Sequence, residues 1–170
     1  MAIGAVNNME YYIIEFVYQR RQCYFIWGTN DIDRFFADNN KILFWKQKHE
    51  LMDFAKINNI VFEEQEPIRY DLDECEKWCQ SLSVDVNCKK VLDMWNIFCD
   101  FCNSMEEKFI GNDNQFDEIY DKIFYGNNLP TINKSDKIYI PIFSDEEILI
   151  IKKILLSGIY CFQKTVLDNN

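Results

Sequence analysis

The sequence predicts an α+β protein: a small, mostly antiparallel N-terminal sheet of about four strands, with a helical C-terminal half packed on it. Three observations lead there. The first sixty residues carry short runs of aromatic and β-branched residues bounded by polar pairs, the signature of strands joined by tight turns. From residue 71 onward the apolar residues recur every three to four positions, the helical period. No internal repeat and no low-complexity linker interrupts the 170 residues, a length that suits one domain with a sizeable core.

Taken in order, residues 1–8 read as a loose tail and 9–170 as a single domain. "MEYYIIEFVY" (9–18) and "CYFIWG" (23–28) are strand-like, and the short polar "QRRQ" between them predicts a hairpin. "NDIDRFFADNN" (30–40) reads as a short helix capped by Asn30 or Asp31. "KILFWK" (41–46) is a third strand, "KHELMDFAKINN" (48–59) a helix ending at an Asn pair, and "IVFEE" (60–64) a fourth strand. "DLDECEKWCQSL" opens with Asp71 and Glu74 in capping-box spacing, and a longer helix spans roughly 85–109. "DEIYDKIFYG" (117–126) is a helix stopped by Gly126. "KIYIPIF" (137–143) is extended, and Pro141 confines it to an edge or a loop. The last helix starts at a second capping box, Ser144 to Glu147, and apolar residues cover most of its circumference over 148–162, so it belongs at the centre of its core.

Composition bounds the function. The chain is 48% hydrophobic with a net charge of −10 and a pI near 4.6. That argues against nucleic-acid binding, which needs a basic footprint, and against docking on anionic lipid. No basic n-region opens the chain, and its most apolar stretch, "EILIIKKILLSGIYCF", is broken by Lys152 and Lys153. A soluble, cytoplasmic protein with reduced thiols is expected.

Four of the seven cysteines fall in two close pairs, Cys75 with Cys79 and Cys99 with Cys102. Two readings stand beside each other. Zinc ligands of this kind sit on tight turns, and redox pairs at helix N-termini; these cysteines lie inside helix patterns. Val91, Trp95, Phe98, Cys102 and Met105 form one stripe with Cys99 beside it, and Cys75, Trp78, Cys79 and Leu82 form another, which makes the sulfurs core residues. The alternative is a metal- or thiol-regulated enzyme or sensor using Cys75, Cys79, Cys99 and Cys102. His49, the single histidine, has no nucleophile at a supporting spacing. The five glycines make no phosphate loop, and an acid/base carboxylate pair has no distinguishing pattern. No catalytic residue, metal ligand or cofactor is assigned.

The charge concentrates in "EEQEPIRYDLDECE" (63–76), where seven carboxylates face a single basic residue, Arg69. One reading is helix capping and loop solvation. The other is a patch that steers a basic partner, widened by "NDNQFDEIYDKIFY" (112–125), with aromatic anchors of the kind interfaces favour. The candidate partner-binding residues are Glu63, Glu64, Glu66, Tyr70, Asp71, Asp73, Glu74, Asp113, Asp117 and Tyr120, and Phe116 is a further aromatic of that stretch.

The segments "YYIIEFVY", "CYFIWGTND", "NNKILFWK", "VLDMWNIFCDF", "YDKIFYGNNLP" and "SDEEILIIKKIL" together resemble bacterial immunity proteins encoded beside contact-dependent growth inhibition and other polymorphic toxins. The likeness spans about residues 9–167 and is one of segment order rather than of a diagnostic motif. It implies a cytoplasmic toxin inhibitor acting by protein–protein interaction, with no enzymatic activity. The implied partner is a cognate toxin C-terminal domain, basic and often a nuclease, and the free protein is expected to be a monomer. The acidic patch agrees with that implication, because a nuclease presents cationic surface to phosphates.

Overall fold

The computed structural model describes residues 9–134 and 137–167; the tail expected over 1–8 lies outside them. The class is α+β, as expected. The chain divides into two compact units, Met1–Asp73 and Glu74–Asn170.

In the first unit, β1 (Glu10–Tyr18) and β2 (Arg21–Thr29) form an antiparallel hairpin, with Tyr18 opposite Arg21. Its two-residue turn, Gln19 and Arg20, is left-handed at both positions (φ 50° and 59°). That geometry matches the twist of the strands but suits Asn and Gly. Gln and Arg lack the relief those residues bring, and the turn is held from outside. The backbone N–H of Gln19 and that of Arg20 donate to the two carboxylate oxygens of Asp73, at 2.7 and 2.8 Å.

The residues expected to form a helix over 30–40 instead make two short hairpin pieces. β3 (Arg34–Phe35) pairs with β2, while β4 (Ala37–Asp38) turns through Asn39 and Asn40 into β5 (Lys41–Ile42). Both asparagines are left-handed (φ 50° and 60°), a conformation Asn tolerates and a helix cannot use. The third expected strand shrinks to β5 plus one bridge, Tyr24 to Trp45. Helix α1 (Lys48–Ile57) follows.

The fourth strand is also displaced. "IVFEE" supplies only a parallel bridge from Phe62 to Tyr11. The strand itself is β6 (Ile68–Asp71), after Pro67, and it runs parallel to β1. The sheet order is β3-β2-β1-β6, so β1 is central and buries both faces. On one face Ile13 and Ile26 pack against Leu51 of α1, all at most 1% exposed. On the other, Phe16, Phe25 and Phe35 pack with ring centroids 5.3 to 6.1 Å apart, Phe25 edge-on to the other two.

The second unit is helical. It takes in most of α2 (Leu72–Gln80), then α3 (Cys88–Ser104), two short 3-10 turns (Ile110–Asn112 and Asn114–Phe116), α4 (Asp117–Gly126) and α5 (Asp145–Leu167). Helix α3 is shorter at both ends than the expected 85–109, because Asn87 caps it by accepting from Lys90 N–H. Its buried stripe is as expected: Val91, Trp95, Phe98 and Cys102 are nearly inaccessible. Leu82 is a correction. Helix α2 stops at Gln80, and Leu82 is 99% exposed.

Helix α5 packs Ile151, Ile154, Leu155, Ile159 and Phe162 inward, and it crosses α3 at Gly158, where any Cβ would collide with the Phe98 ring. The Ser144 box forms as read from the sequence: Glu147 accepts from Ser144 N–H at 2.8 Å, and Ser144 Oγ accepts from Glu147 N–H at 3.2 Å. Lys152, which interrupts the apolar run, is only 7% exposed. Its Nζ donates to the carbonyls of Ser81 and Ser83, at 2.8 and 2.9 Å, and lies 5.1 Å from the centre of the Trp78 ring. The charge thus ties the loop after α2 to the middle of α5 and sits where helix carbonyls favour a cation.

Two outcomes follow from these contacts. Asp73→Ala removes the acceptor shared by two strained turn residues, and should lower stability by about 1–2 kcal/mol, with Asp73→Asn intermediate. Urea unfolding checks this. Lys152→Ala leaves two carbonyls without their donor and opens space beside Trp78, a cost of about 2–4 kcal/mol. Lys152→Met restores the packing and should recover part of that loss in the same assay.

Candidate functional site

The partner-binding residues expected from the sequence divide by what their side chains do. In the first unit, Glu63, Glu64 and Glu66 are exposed. The strand-like contact at Phe62 aims them: Glu63 N–H donates to Tyr11 C=O at 2.9 Å, which lays the 62–64 backbone beside the start of β1. There Tyr12 donates to Glu10 at 3.4 Å, and its ring lies 5.8 Å from that of Trp27. The Tyr12 hydroxyl is held above the usual phenol range. Its own partial burial contributes most, then the charge and hydrogen bond of Glu10, then the charges of Glu63 and Glu64. Three carboxylates therefore act electrostatically on Tyr12, one of this aromatic pair.

Asp73 points elsewhere, since its oxygens close the hairpin turn. Tyr70 is half-buried, its ring tilted against Phe16 at 5.6 Å. Asp71 is half-buried directly before the first residue of α2.

In the second unit the candidates are mostly structural. Glu74 accepts from Lys90 Nζ at 2.6 Å. Asp113 caps a 3-10 turn by accepting from Gln115 N–H. Asp117 is exposed in the first turn of α4, where a carboxylate complements the dipole. Tyr120 donates to Asn96 at 3.0 Å, with its ring edge-on to Trp95. Phe116 is half-buried.

Glu10, Tyr12 and Trp27 were not singled out in the sequence. A hairpin register that sets Tyr12 opposite Trp27 was a usable signal. The approach of residues 62–64 had none, because it rests on a single bridge.

The cysteines do not form one set. Cys75 and Cys79 hydrogen-bond each other one turn apart in α2, and Cys102 pairs with Cys161 of α5 rather than with Cys99. Cys99 donates to Asn112 at 3.0 Å and accepts from Asn103. The Cys75 and Cys102 thiols are pushed up by their sulfur partners and then by burial, and Cys99 by burial first. Such thiols hold their protons and are poor nucleophiles. Among the described residues no three His, Cys, Asp or Glu side chains converge to hold a metal ion. His49 is exposed on α1, and no helix is long and apolar enough to cross a membrane among the described residues.

The Tyr12 environment has a spectroscopic consequence. Glu10→Gln removes both a charge and a hydrogen bond, so it should bring the Tyr12 titration down further than Glu63→Gln or Glu64→Gln. The ultraviolet phenolate titration, referenced to Tyr12→Phe, reads that order. Set against protein-family models, curated proteins and solved structures, the chain matches none of them.

Proposed function

We propose that this chain is a toxin-neutralising binding protein of the immunity class its sequence resembles. It acts in the cytoplasm without catalysis or cofactor, and it takes a basic toxin domain, typified by a nuclease, on an acidic surface. One observation supports this above the others: the charges of Glu10, Glu63 and Glu64 all act on Tyr12, whose ring lies against Trp27, with Glu66 exposed in the same segment as Glu63 and Glu64. Aromatic area ringed by like charge is the arrangement that anchors and steers an oppositely charged protein. The carboxylates of Asp73 and Glu74 are engaged by groups of the fold and are not part of the proposed surface.

The test is charge reversal. A Glu63→Lys, Glu64→Lys, Glu66→Lys variant should keep its circular dichroism spectrum and melting temperature. It should bind the toxin domain encoded beside it at least about tenfold more slowly at low salt, and with a weaker salt dependence. Titration calorimetry and stopped-flow binding measure both. Unchanged affinity and rate would remove this surface from the proposal. Asp73 is left out of the set because its reversal would open the hairpin turn.

A further inference from the structure

The second unit exposes a stripe that neither the fold nor the proposed function uses. Between α4 and α5, Ile138, Ile140 and Ile142 are 76%, 78% and 86% exposed. A monomer seldom shows three neighbouring isoleucines to water. Alternate positions of an extended chain share one face, and this piece is held extended from behind. Asn128 donates to Tyr139 C=O at 2.8 Å and accepts from Tyr139 N–H at 2.7 Å, so one amide grips residue 139 on both sides. Asn133 donates to Lys137 C=O, and Lys122 to Ile142 C=O. Ile140 precedes Pro141, which also disfavours a helical turn. Among the described residues no hydrogen bond engages the backbone of Ile138 or Ile140. Ile138 and Ile140 also border a groove of about 580 Å³ with Val84, Pro141 and Phe143. The stripe is thus preorganised, so little ordering entropy would oppose its burial.

Charge argues for the occupant. The sequence at the N-terminal end of the stripe, with Lys134 and Lys137 against Asp136, is net basic by one charge, and Asp145 and Glu146, both exposed, make the C-terminal end acidic. We infer that the stripe packs face to face, antiparallel, on the same stripe of a second copy, about a two-fold axis at Ile140. In that arrangement Ile138 meets Ile142 of the other copy, and each basic end meets an acidic end. A parallel arrangement would bring like charges together, which is unfavourable. The net charge of −10 opposes self-association in general, and the antiparallel pairing offsets it locally. The interface is isologous and closed, a dimer rather than a filament. A face this small belongs with weak, transient contacts. This departs from the monomer expected from the sequence, and it is independent of the acidic surface proposed above.

Analytical ultracentrifugation of the full chain, from low micromolar up to about 1 mM, tests it. The wild type should move from monomer to dimer mass across that range. Ile140→Asp, at an exposed position, should keep the fold by circular dichroism and weaken the dimer at least about tenfold. Lys134→Glu should weaken it roughly two- to fivefold, and Lys134→Glu with Glu146→Lys should restore it. A wild type that stays monomeric throughout would overturn the inference. So would a dimer that Ile140→Asp leaves unchanged, or one whose charge-swap variant fails to recover.

Discussion

The contact on which the first unit turns is one carboxylate on two amides. This two-residue hairpin loop is left-handed at both positions and so follows the strand twist, and Gln19 and Arg20 lack the ease with which Asn and Gly adopt that conformation. Asp73, more than fifty residues away, supplies what they lack. The register of β1 against β2 follows from that turn, and these are the two inner strands of the sheet. A shift of one residue would carry Ile13 and Ile26 off the α1 face and put Phe16 and Phe25 there. A local strain is thus settled by a residue at the far end of the same unit.

This division of carboxylates explains how an acidic segment can serve two purposes. Within residues 63–76, Asp73 accepts backbone N–H groups and Glu74 pairs with Lys90, while Glu63, Glu64 and Glu66 extend into solvent. Composition cannot separate these roles, since all five are carboxylates in one run. Their partners separate them. The anchored ones are tied to groups from β1–β2 and α3, and the exposed ones lie beyond the Phe62 bridge with no such neighbour described.

Legibility in the sequence followed the range of the interactions. Helices α1 and α4, the stripe of α3 and the Ser144–Glu147 box rest on neighbours within about four residues, and the β1–β2 strands are adjacent in sequence; all were readable. The misreadings share a different cause. Residues 30–40 read as a helix capped by Asn30 or Asp31, yet the Asn39–Asn40 turn chemistry decided for a hairpin. β6 is short and mixed in pattern, and only its parallel pairing to β1 makes it a strand. Lys152 looked like an interruption, because the Ser81 and Ser83 carbonyls that receive it are about seventy positions away. Glu10, Tyr12 and Trp27 went unmarked for the same reason: what gathers carboxylates around them is a chain crossing.

The Asn128 clamp also links this fold to chemical ageing. A primary amide offers donor and acceptor in one plane, and residue 128 uses both: it donates to the carbonyls of Gly126 and Tyr139 and accepts from Tyr139 and Asn133. Deamidation would replace the NH₂ with an oxygen, leaving an acceptor-only group. Two bonds would become oxygen–oxygen repulsions at the point where the Ile138–Ile142 segment is held. Hydrolysis of one amide, with water taken up and ammonia released, would loosen the segment at residue 139 and leave it to the Lys122 and Asn133 contacts.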